Sequence, residues 1–149
     1  ILIVTDKTKL RKPCDEWNGT VEELKEIKEQ LVSAMIEAKG VGIAANQIGL
    51  PFRIFYVGDE EKGHIFVNPR YPQLHPSRKA DWEGCLSCPD TMVRVKRARQ
   101  IELTYTTLVE DQLHTVTRKF KGFEARKVQH ELDHINGFLI VDRGKAYTP

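Results

Sequence analysis

The amino-acid sequence has few cysteines, no long apolar run and no marked excess of charge of either sign. Its three cysteines are too few for a disulfide framework and cannot all pair, which favours a reducing compartment. No segment approaches the ~20 apolar residues of a membrane-spanning helix, and the first residues lack the pattern of a signal peptide. A formal net charge of +2 requires neither nucleic acid nor an anionic membrane as a partner. We therefore expect a soluble cytoplasmic protein.

The length of 149 residues fits one domain with a sizeable core, so residues 1–149 are expected to form a single domain. The densest basic run, residues 94–99, is interrupted by Val95 and Ala98. That pattern is more typical of the solvated face of a strand than of a nucleic-acid site. Residues 1–19 mix polar and apolar positions and are expected to form an extended arm over the body of the protein.

An amphipathic helix is predicted directly after this arm. Thr20 and Glu23 have the spacing of a capping box, in which each side chain satisfies a backbone donor of the other residue. Apolar residues then recur at helical spacing up to Ala38, and Gly40 is expected to end the helix. The apolar side of this helix is expected to be core and to carry no chemistry.

The middle of the chain favours antiparallel strands. Segments 52–57 and 64–68 are rich in β-branched and aromatic residues, and the turn-prone stretch between them predicts a hairpin. Three further strands are predicted at 93–95, 100–108 and 113–120, with a turn between the last two.

Residues 123–135 return to helical spacing and predict a second helix. Its apolar positions fall on one side, while Arg126, Lys127 and two histidines fall on the other. Such a helix suits a position against a sheet. Gly137 is expected to end it, and residues 138–141 are expected to form a final strand.

The two histidines of this helix give the clearest chemical signal in the sequence. His130 and His134 are four residues apart, so both imidazoles can reach one metal ion. Glu131 lies beside them, where a carboxylate can move a proton of a water molecule at the metal. The pattern predicts a metal site, but two ligands do not complete one.

Catalytic zinc-type sites commonly have three protein ligands and a water, so a third ligand is required. After His134 the only further carboxylate side chain is that of Asp142, so the third ligand is expected upstream. The candidates of suitable softness are Cys14, Cys85, Cys88, His64, His75 and His114. Cys85 is preferred, because the preceding glycine gives its sulfur freedom to reach a buried ion.

Cys85 and Cys88 form a C-x-x-C pair, which leaves alternatives open. Both cysteines with both histidines would make a closed structural zinc site. A thioredoxin-like redox pair should open a helix, and Pro89 followed by strand-like residues fits this poorly. An open site of one cysteine and two histidines is favoured over the closed one, because Glu131 has a use only where water can bind.

Residues 40–49 contain glycines and a pair of alanines, which let the backbone approach another backbone or a ligand closely. Taken alone, they predict a tight connection between helix and strand, with Gln47 as a surface amide. A different interpretation follows when this stretch is combined with two others.

Three separated motifs together resemble the peptide deformylases. Residues 40–47 are similar to that family's G-x-G-x-A-A-x-Q motif, residues 83–87 to its second motif and residues 129–134 to its third. A lone H-E-x-x-H motif is weak evidence for a family, whereas three motifs in the family's order are specific evidence. The resemblance implies an α+β fold in which antiparallel sheets surround a central metal-binding helix, with one amphipathic helix before them. It also implies a hydrolase that removes the formyl group from the N-terminal formylmethionine of nascent polypeptides and releases formate.

The resemblance also implies roles for individual residues. The metal ligands would be Cys85, His130 and His134, and the catalytic groups would be Glu131, the Gln47 amide and the backbone N–H of Leu86. The substrate backbone would pair with Val41, Gly42 and Gly84. Supporting interactions would come from Glu83, Arg97 and Asp133.

The cofactor implied by the family is one divalent ion. Ferrous iron is expected in the cell, and zinc, nickel or cobalt are expected to bind the same ligands. The implied partners are N-formylmethionyl peptides, including nascent chains at the ribosome, with no need for nucleic acid or a membrane. A monomer is expected, in the bacterial cytoplasm or, for a phage-encoded enzyme, in that of the bacterial host.

Three features depart from the family pattern. Asn46 stands where a proline is common and is expected to loosen the loop that carries Gln47. Lys127 stands where many members have an apolar residue, so its charged end is expected at the rim of the methionine pocket and the preference for methionine is expected to be relaxed. The segment after Val141 resembles the reduced forms carried by some phages, so the C-terminal helix of many bacterial members is expected to be missing. A small metallopeptidase that cuts internal amides is the alternative enzyme.

Overall fold

Helix α3 (Gly122–Ile135) is the element against which both sheets pack. The computed structural model describes residues 2–147. The other two helices are α1 (Lys7–Leu10) and α2 (Val21–Glu37). The strands are β1 (Gly42–Ala44), β2 (Ile54–Gly58), β3 (Gly63–Val67), β4 (Gln73–Leu74), β5 (Arg78–Cys85), β6 (Cys88–Ala98), β7 (Gln100–Val109), β8 (Gln112–Lys121) and β9 (Gly144–Tyr147). Short 3₁₀ turns span Ala45–Ile48 and Ile140–Asp142.

Every strand pairing within the two sheets is antiparallel. The larger sheet has the order β1-β2-β3-β7-β4, with β8 also paired to β7, and the smaller sheet has the order β5-β6-β9. Strands β1 and β5 therefore lie at sheet edges. The helices pack onto these sheets rather than alternating with parallel strands, so the expected α+β class is confirmed. Among residues 2–147, no helix is long and apolar enough to cross a membrane.

Helix α2 begins as the sequence predicts and ends differently. Thr20 and Glu23 form the capping box in both directions, at 3.2 and 3.0 Å. At the other end the left-handed residue is Lys39, with φ 59°, and Gly40 donates its N–H to the Met35 carbonyl at 2.9 Å. Gly40 was expected to end the helix, but the left-handed residue that ends it is Lys39. Gly40 is restricted by packing instead, since a Cβ there would lie 2.9 Å from the Leu86 side chain.

The end of helix α3 is fixed by Gly137, as expected. This residue has φ 86°, and the following N–H of Phe138 donates to the Asp133 carbonyl at 2.8 Å. Because the left-handed conformation is unfavourable for a side chain, glycine is the residue that this turn favours. The turn also brings the chain against the N-terminal arm, where a Cβ on Gly137 would lie 2.5 Å from the Arg11 carbonyl oxygen.

The predicted strands are present, but three segments differ from expectation. The N-terminal arm includes the short helix α1, and its Leu10 is fully buried. Strand β5 was not predicted, because it buries only Glu83 among its eight residues. The apolar run 138–141 is not a strand, since the Asp142 carboxylate accepts a hydrogen bond from the Leu139 N–H and holds a 3₁₀ turn. The last strand, β9, follows it.

The apolar side of α3 packs on the larger sheet. Its Ala125, Val128, Leu132 and Ile135 are at most 4 % exposed. They contact an aromatic cluster in which the Phe55 and Phe66 rings stack at 4.5 Å. Each fully buried valine, leucine, isoleucine or phenylalanine side chain stabilises the fold by roughly 1.5–3 kcal/mol. This packing turns the opposite side of α3, with both histidines, toward the gap between the sheets.

Candidate metal centre

Three candidate ligands meet where strand β5 ends beside helix α3. Atoms of Cys85, His130 and His134 that could bind a metal lie within 4.8 Å of one another. The Cys85 Sγ is 3.3 Å from His134 Nε2. Ligands of a tetrahedral site with bonds of ~2.0–2.3 Å are separated by about 3.5 Å, so the spacing fits one cation. The ligands expected from the sequence are thus brought together.

The two imidazoles are held by different surroundings. His134 is buried, and burial holds its pKa well below the ordinary value, which keeps the ring neutral. His130 Nδ1 lies 2.9 Å from Glu83 Oε1, which leaves Nε2 to face the ligand group. Burial opposes the charged form of His130, but the hydrogen bond with Glu83 and the negative charges of Glu131 and Glu83 together outweigh burial and raise the pKa of His130.

Burial and hydrogen bonding also act on the sulfur ligand. Interaction with the neighbouring Cys88 thiol and burial raise the pKa of Cys85 above its ordinary value. A thiolate at the partly buried Cys85 therefore needs a cation to stabilise it, as a divalent metal does.

Glu83 is the centre of a buried network behind His130. Its carboxylate accepts hydrogen bonds from Arg97 at 2.9 and 3.0 Å and from Arg126 at 2.6 Å. Burial would raise the pKa of Glu83, but the hydrogen bonds from His130 and Arg97 outweigh it and hold the pKa well below its usual range. Arg97 also pairs with Asp133 at 2.6 Å. The network fixes the orientation of the His130 ring through an ionised carboxylate.

Arg126 was not recognised from the sequence as part of this network. Its guanidinium also donates to the carbonyls of Lys79 and Val95, at 2.6 and 3.0 Å. The available signal was its position four residues before His130, on the same side of α3. The basic run of residues 94–99 was expected to be solvated, but its Arg97 is only 5 % exposed.

Gln47 lies in the 3₁₀ turn after β1 and is 2 % exposed, so the surface interpretation was wrong. Its Oε1 accepts from the Ala44 N–H at 3.0 Å, and its Nε2 donates to Ser87 Oγ at 3.0 Å. The same nitrogen lies 3.8 Å from Cys85 Sγ. The amide donor is therefore held beside the ligand group. Ser87, which had no predicted role, orients it.

Asn46 ties this turn to the metal helix. Its Nδ2 donates to the His134 carbonyl at 2.8 Å, and the residue is 9 % exposed. This buried hydrogen bond, which proline could not make, argues against the expected loosening of the loop, and the loosening stays a prediction.

Glu131 is a buried carboxylate directed into the same region. It is 4 % exposed, and burial raises its pKa to about 7. Its Oε1 has no hydrogen-bond partner among the described residues. A Cβ on Gly42 would lie 2.8 Å from Glu131 Oε2, so glycine leaves the carboxylate its room. The unpaired Oε1 can accept a proton from a water molecule in the site.

A cleft of about 390 Å³ opens onto these groups. Gly42 of the edge strand β1 borders it together with the preceding Val41, and Gly84 borders it from the edge strand β5. Phe123 and Lys127 also line it, with the Lys127 ammonium 4.9 Å from the centre of the Phe123 ring. Two unpaired strand edges that face one cleft can accept an extended peptide between them.

Cys88 lies outside the ligand group of the described residues. It is directly across from Cys85 in the β5–β6 register and is 7 % exposed. Cys14, also weighed as a ligand, is in the aromatic core cluster, where burial raises its pKa to about 11. The arrangement favours the open site over the closed one with two cysteines.

Comparison with known proteins identifies the family. The sequence matches the family profile described as "Polypeptide deformylase" over residues 1–148. The peptide deformylase of Thermotoga maritima is 36% identical over 135 residues, which cover 90% of this chain and 80% of that protein. Its crystal structure matches with a TM-score of 0.89 and 32% identity over 97% of both chains. A probable peptide deformylase from Synechococcus phage S-SSM7 matches with a TM-score of 0.87 and 33% identity, covering 95% of this chain and 97% of that one.

The fold and a Cys/His/His cluster that could hold a metal ion fit the class of metal-dependent hydrolases. The chain belongs to the polypeptide deformylase family. The reaction of this family is the removal of the N-formyl group from nascent peptides, so the activity expected from the three motifs is confirmed.

Proposed function

We propose that Cys85, His130 and His134 hold a single divalent cation and that the groups around it carry out deformylation. Their mutual spacing and the buried, ionised Glu83 behind His130 support this ligand set. When bound, the cation supplies a Lewis acid that polarises a carbonyl and makes water nucleophilic near neutral pH. The observation that carries the proposal is the convergence of the ligand group, Glu131 and the Gln47 amide on one cleft.

Glu131 moves the proton in this proposal. Its buried carboxylate accepts a proton from the attacking water and delivers it to the departing amine nitrogen. A pKa of about 7 suits both steps, because the same oxygen must gain and lose a proton near neutral pH. The absence of a hydrogen-bond partner for Oε1 among the described residues leaves that oxygen available.

The oxyanion that develops on the formyl oxygen is stabilised by two donors. One is the Gln47 Nε2, which Ser87 orients beside Cys85. The other is the backbone N–H of Leu86, the residue that follows Cys85 at the lip of the cleft. Donors fixed in advance in this way cost no reorganisation when charge develops.

The peptide part of the substrate lies between the edges of β1 and β5. Val41, Gly42 and Gly84 pair with its backbone, a mode that accepts many sequences after the first residue. Lys127 lies at the rim of the cleft over Phe123, so we propose that the preference for methionine is relaxed.

We further propose that residues 1–149 form one catalytic domain that acts as a monomer on nascent chains in the cytoplasm. Three free cysteines, one of them a proposed ligand, fit a reducing compartment. Ferrous iron is the proposed physiological ion, and the mixed sulfur and imidazole ligand set also suits zinc, nickel and cobalt.

A pair of substrates tests the proposal against the metallopeptidase alternative. Nickel-loaded protein is incubated with a formyl-methionyl tripeptide and with the same peptide lacking the formyl group. Formate release from the first and no cleavage of the second are expected. Cleavage of an internal amide in either peptide, without formate, would contradict the proposal.

A further inference from the structure

The second cysteine of the C-x-x-C pair has no part in the proposed mechanism, yet its position is specific. Strand β5 turns into β6 through Leu86 and Ser87, and the register places Cys85 directly across from Cys88. Opposed residues of antiparallel strands have Cα atoms about 4.5–5.5 Å apart, within the range that a disulfide spans. The backbone therefore needs no large movement to join them.

We propose that Cys85 and Cys88 are a reversible oxidation site, at which a peroxide converts the pair into a disulfide and thereby disables the metal centre. The proposal rests on the proposed function, in that Cys85 is taken to be a metal ligand. Once its sulfur is bonded to Cys88, it is no longer a thiolate, and only His130 and His134 are left.

The chemistry proceeds in two steps that balance. The Cys85 thiolate attacks a peroxide oxygen, the O–O bond breaks, and Cys85 becomes a sulfenic acid while hydroxide departs. The Cys88 thiol then attacks the Cys85 sulfur, so that an S–S bond forms, the S–O bond breaks and water leaves with the thiol proton. Each disulfide consumes one hydrogen peroxide and two electrons from the two sulfurs. A dithiol reductant returns those electrons.

The surroundings of the three cysteines favour oxidation of Cys85 and Cys88 over oxidation of Cys14. Cys85 lines the open cleft, so a molecule as small as hydrogen peroxide can reach its sulfur. Cys88 is 7 % exposed and lies behind it, where it is protected from direct attack but next to the Cys85 sulfur. Cys14 packs in the aromatic core cluster on the other side of α3 and has no cysteine opposite it. Cys88 thus protects Cys85 from further oxidation to acids that thiols do not reduce.

The test uses zinc-loaded protein, because zinc is not itself oxidised by peroxide. Wild-type protein is compared with C88S, C88V and the matched control C14A after treatment with a small excess of hydrogen peroxide. Intact mass, zinc release to a chromogenic chelator and formate release are measured before peroxide, after it, and after dithiothreitol with added zinc. C88V keeps an apolar side chain at the buried position, in case a serine there impairs folding.

Wild type and C14A are expected to lose two hydrogens in mass and to release their zinc. Their formate release should fall at least tenfold and recover after reduction. Both Cys88 variants should start with wild-type activity and zinc content, then gain oxygen atoms and remain inactive after reduction. Oxygen gain without a disulfide in wild type, or equal recovery in C88V, would overturn the proposal.

Two further outcomes separate this proposal from the proposed function. A disulfide that forms without zinc release overturns the ligand role of Cys85, and the switch with it. Absence of formate release before any peroxide contradicts the proposed function, whereas a disulfide that still expels zinc from that sample supports the oxidation site.

Discussion

Glu131 is the residue at which burial and chemistry are most closely linked. Its side chain is almost wholly excluded from water, and burial raises its pKa to about 7. An exposed glutamate would be too weak a base to hold a proton at neutral pH. The room for this carboxylate comes from Gly42 on the neighbouring strand, where a Cβ would lie 2.8 Å from its oxygen.

Replacing Glu131 by glutamine should abolish proton transfer and leave the metal in place. The amide keeps the shape of the side chain but cannot accept the proton of water, so formate release should fall by ~10²–10⁴-fold. Bound metal, measured on the same sample, should stay at the wild-type level. A Glu131→Gln protein that keeps a rate within tenfold of wild type would refute the assigned role.

Replacing Gln47 by methionine should remove the side-chain oxyanion donor. The expected loss in kcat is ~10²-fold or more, because one such donor is commonly worth that much. Ser87→Ala is the matched control, since it removes the partner of the Gln47 amide but leaves the donor itself. This control should retain activity within about tenfold of wild type. Equal losses in the two variants would point to packing rather than to oxyanion stabilisation.

At the residue scale, the sequence predicted the proposed ligands, but it missed some of the residues that orient the groups around them. His130 and His134 could be recognised because helix geometry links residues four apart. Gln47 could not be placed from its own neighbourhood, because Ser87, the hydrogen-bond partner of its amide, is forty residues away in the chain. Arg126 was missed for the same reason, since a basic residue on the polar side of a helix resembles a solvated one until its partner Glu83 is known.

At the scale of elements, local chemistry predicted the starts of α2 and α3 but missed helix α1 and the polar strand β5. The capping box of α2 and the hairpin of β2 and β3 were correct, because each depends on residues close in sequence. Strand β5 shows no apolar alternation, so its existence depends on pairing with β6. The run 138–141 has strand-like residues, but a carboxylate cap makes it a turn.

The junction between α3 and the N-terminal arm gives a prediction about stability. Gly137 and Gly49 both have a left-handed backbone, at φ 86° and 85°. A Cβ on Gly49 meets nothing within 4 Å. Gly49→Ala should therefore lower the free energy of unfolding by only about 1 kcal/mol, because a residue with a side chain adopts the left-handed conformation less readily than glycine. Gly137→Ala should cost roughly 3 kcal/mol, because its Cβ would also collide with the Arg11 carbonyl. Urea unfolding of both variants measures the difference, and equal costs would contradict it.

At the scale of the whole molecule, the site exists because two sheets meet on one helix. Strands β1 and β5 come from distant parts of the chain, and each presents an edge to the same cleft. Periodicity in the sequence cannot show that β1 and β5 lie close together in space. The order of the three motifs could predict it, because the motifs resemble those of a family with a known arrangement. The family match and the shared fold confirm that inference.

The stability of the whole molecule should depend on His64. Burial and the nearby Arg118 guanidinium lower the pKa of His64 below its ordinary 6.5. The unfolded chain therefore binds a proton near that pH before the folded chain does, so the free energy of unfolding should decrease as pH falls through 6.5. His64→Gln should reduce this slope between about pH 7.5 and 5.5, as measured by urea unfolding. The exposed His114→Gln is the control, and an equal change of slope there would contradict the assignment.

The central claim is that one cation, held by Cys85, His130 and His134, gives this molecule its deformylase activity. The most direct measurement adds nickel in small steps to metal-free protein and determines bound metal and formate release from a formyl-methionyl tripeptide on each sample. The rate should rise in proportion to bound metal and stop rising at one ion per chain. Formate release that does not follow bound metal, or its absence in a fully loaded sample, would contradict the claim.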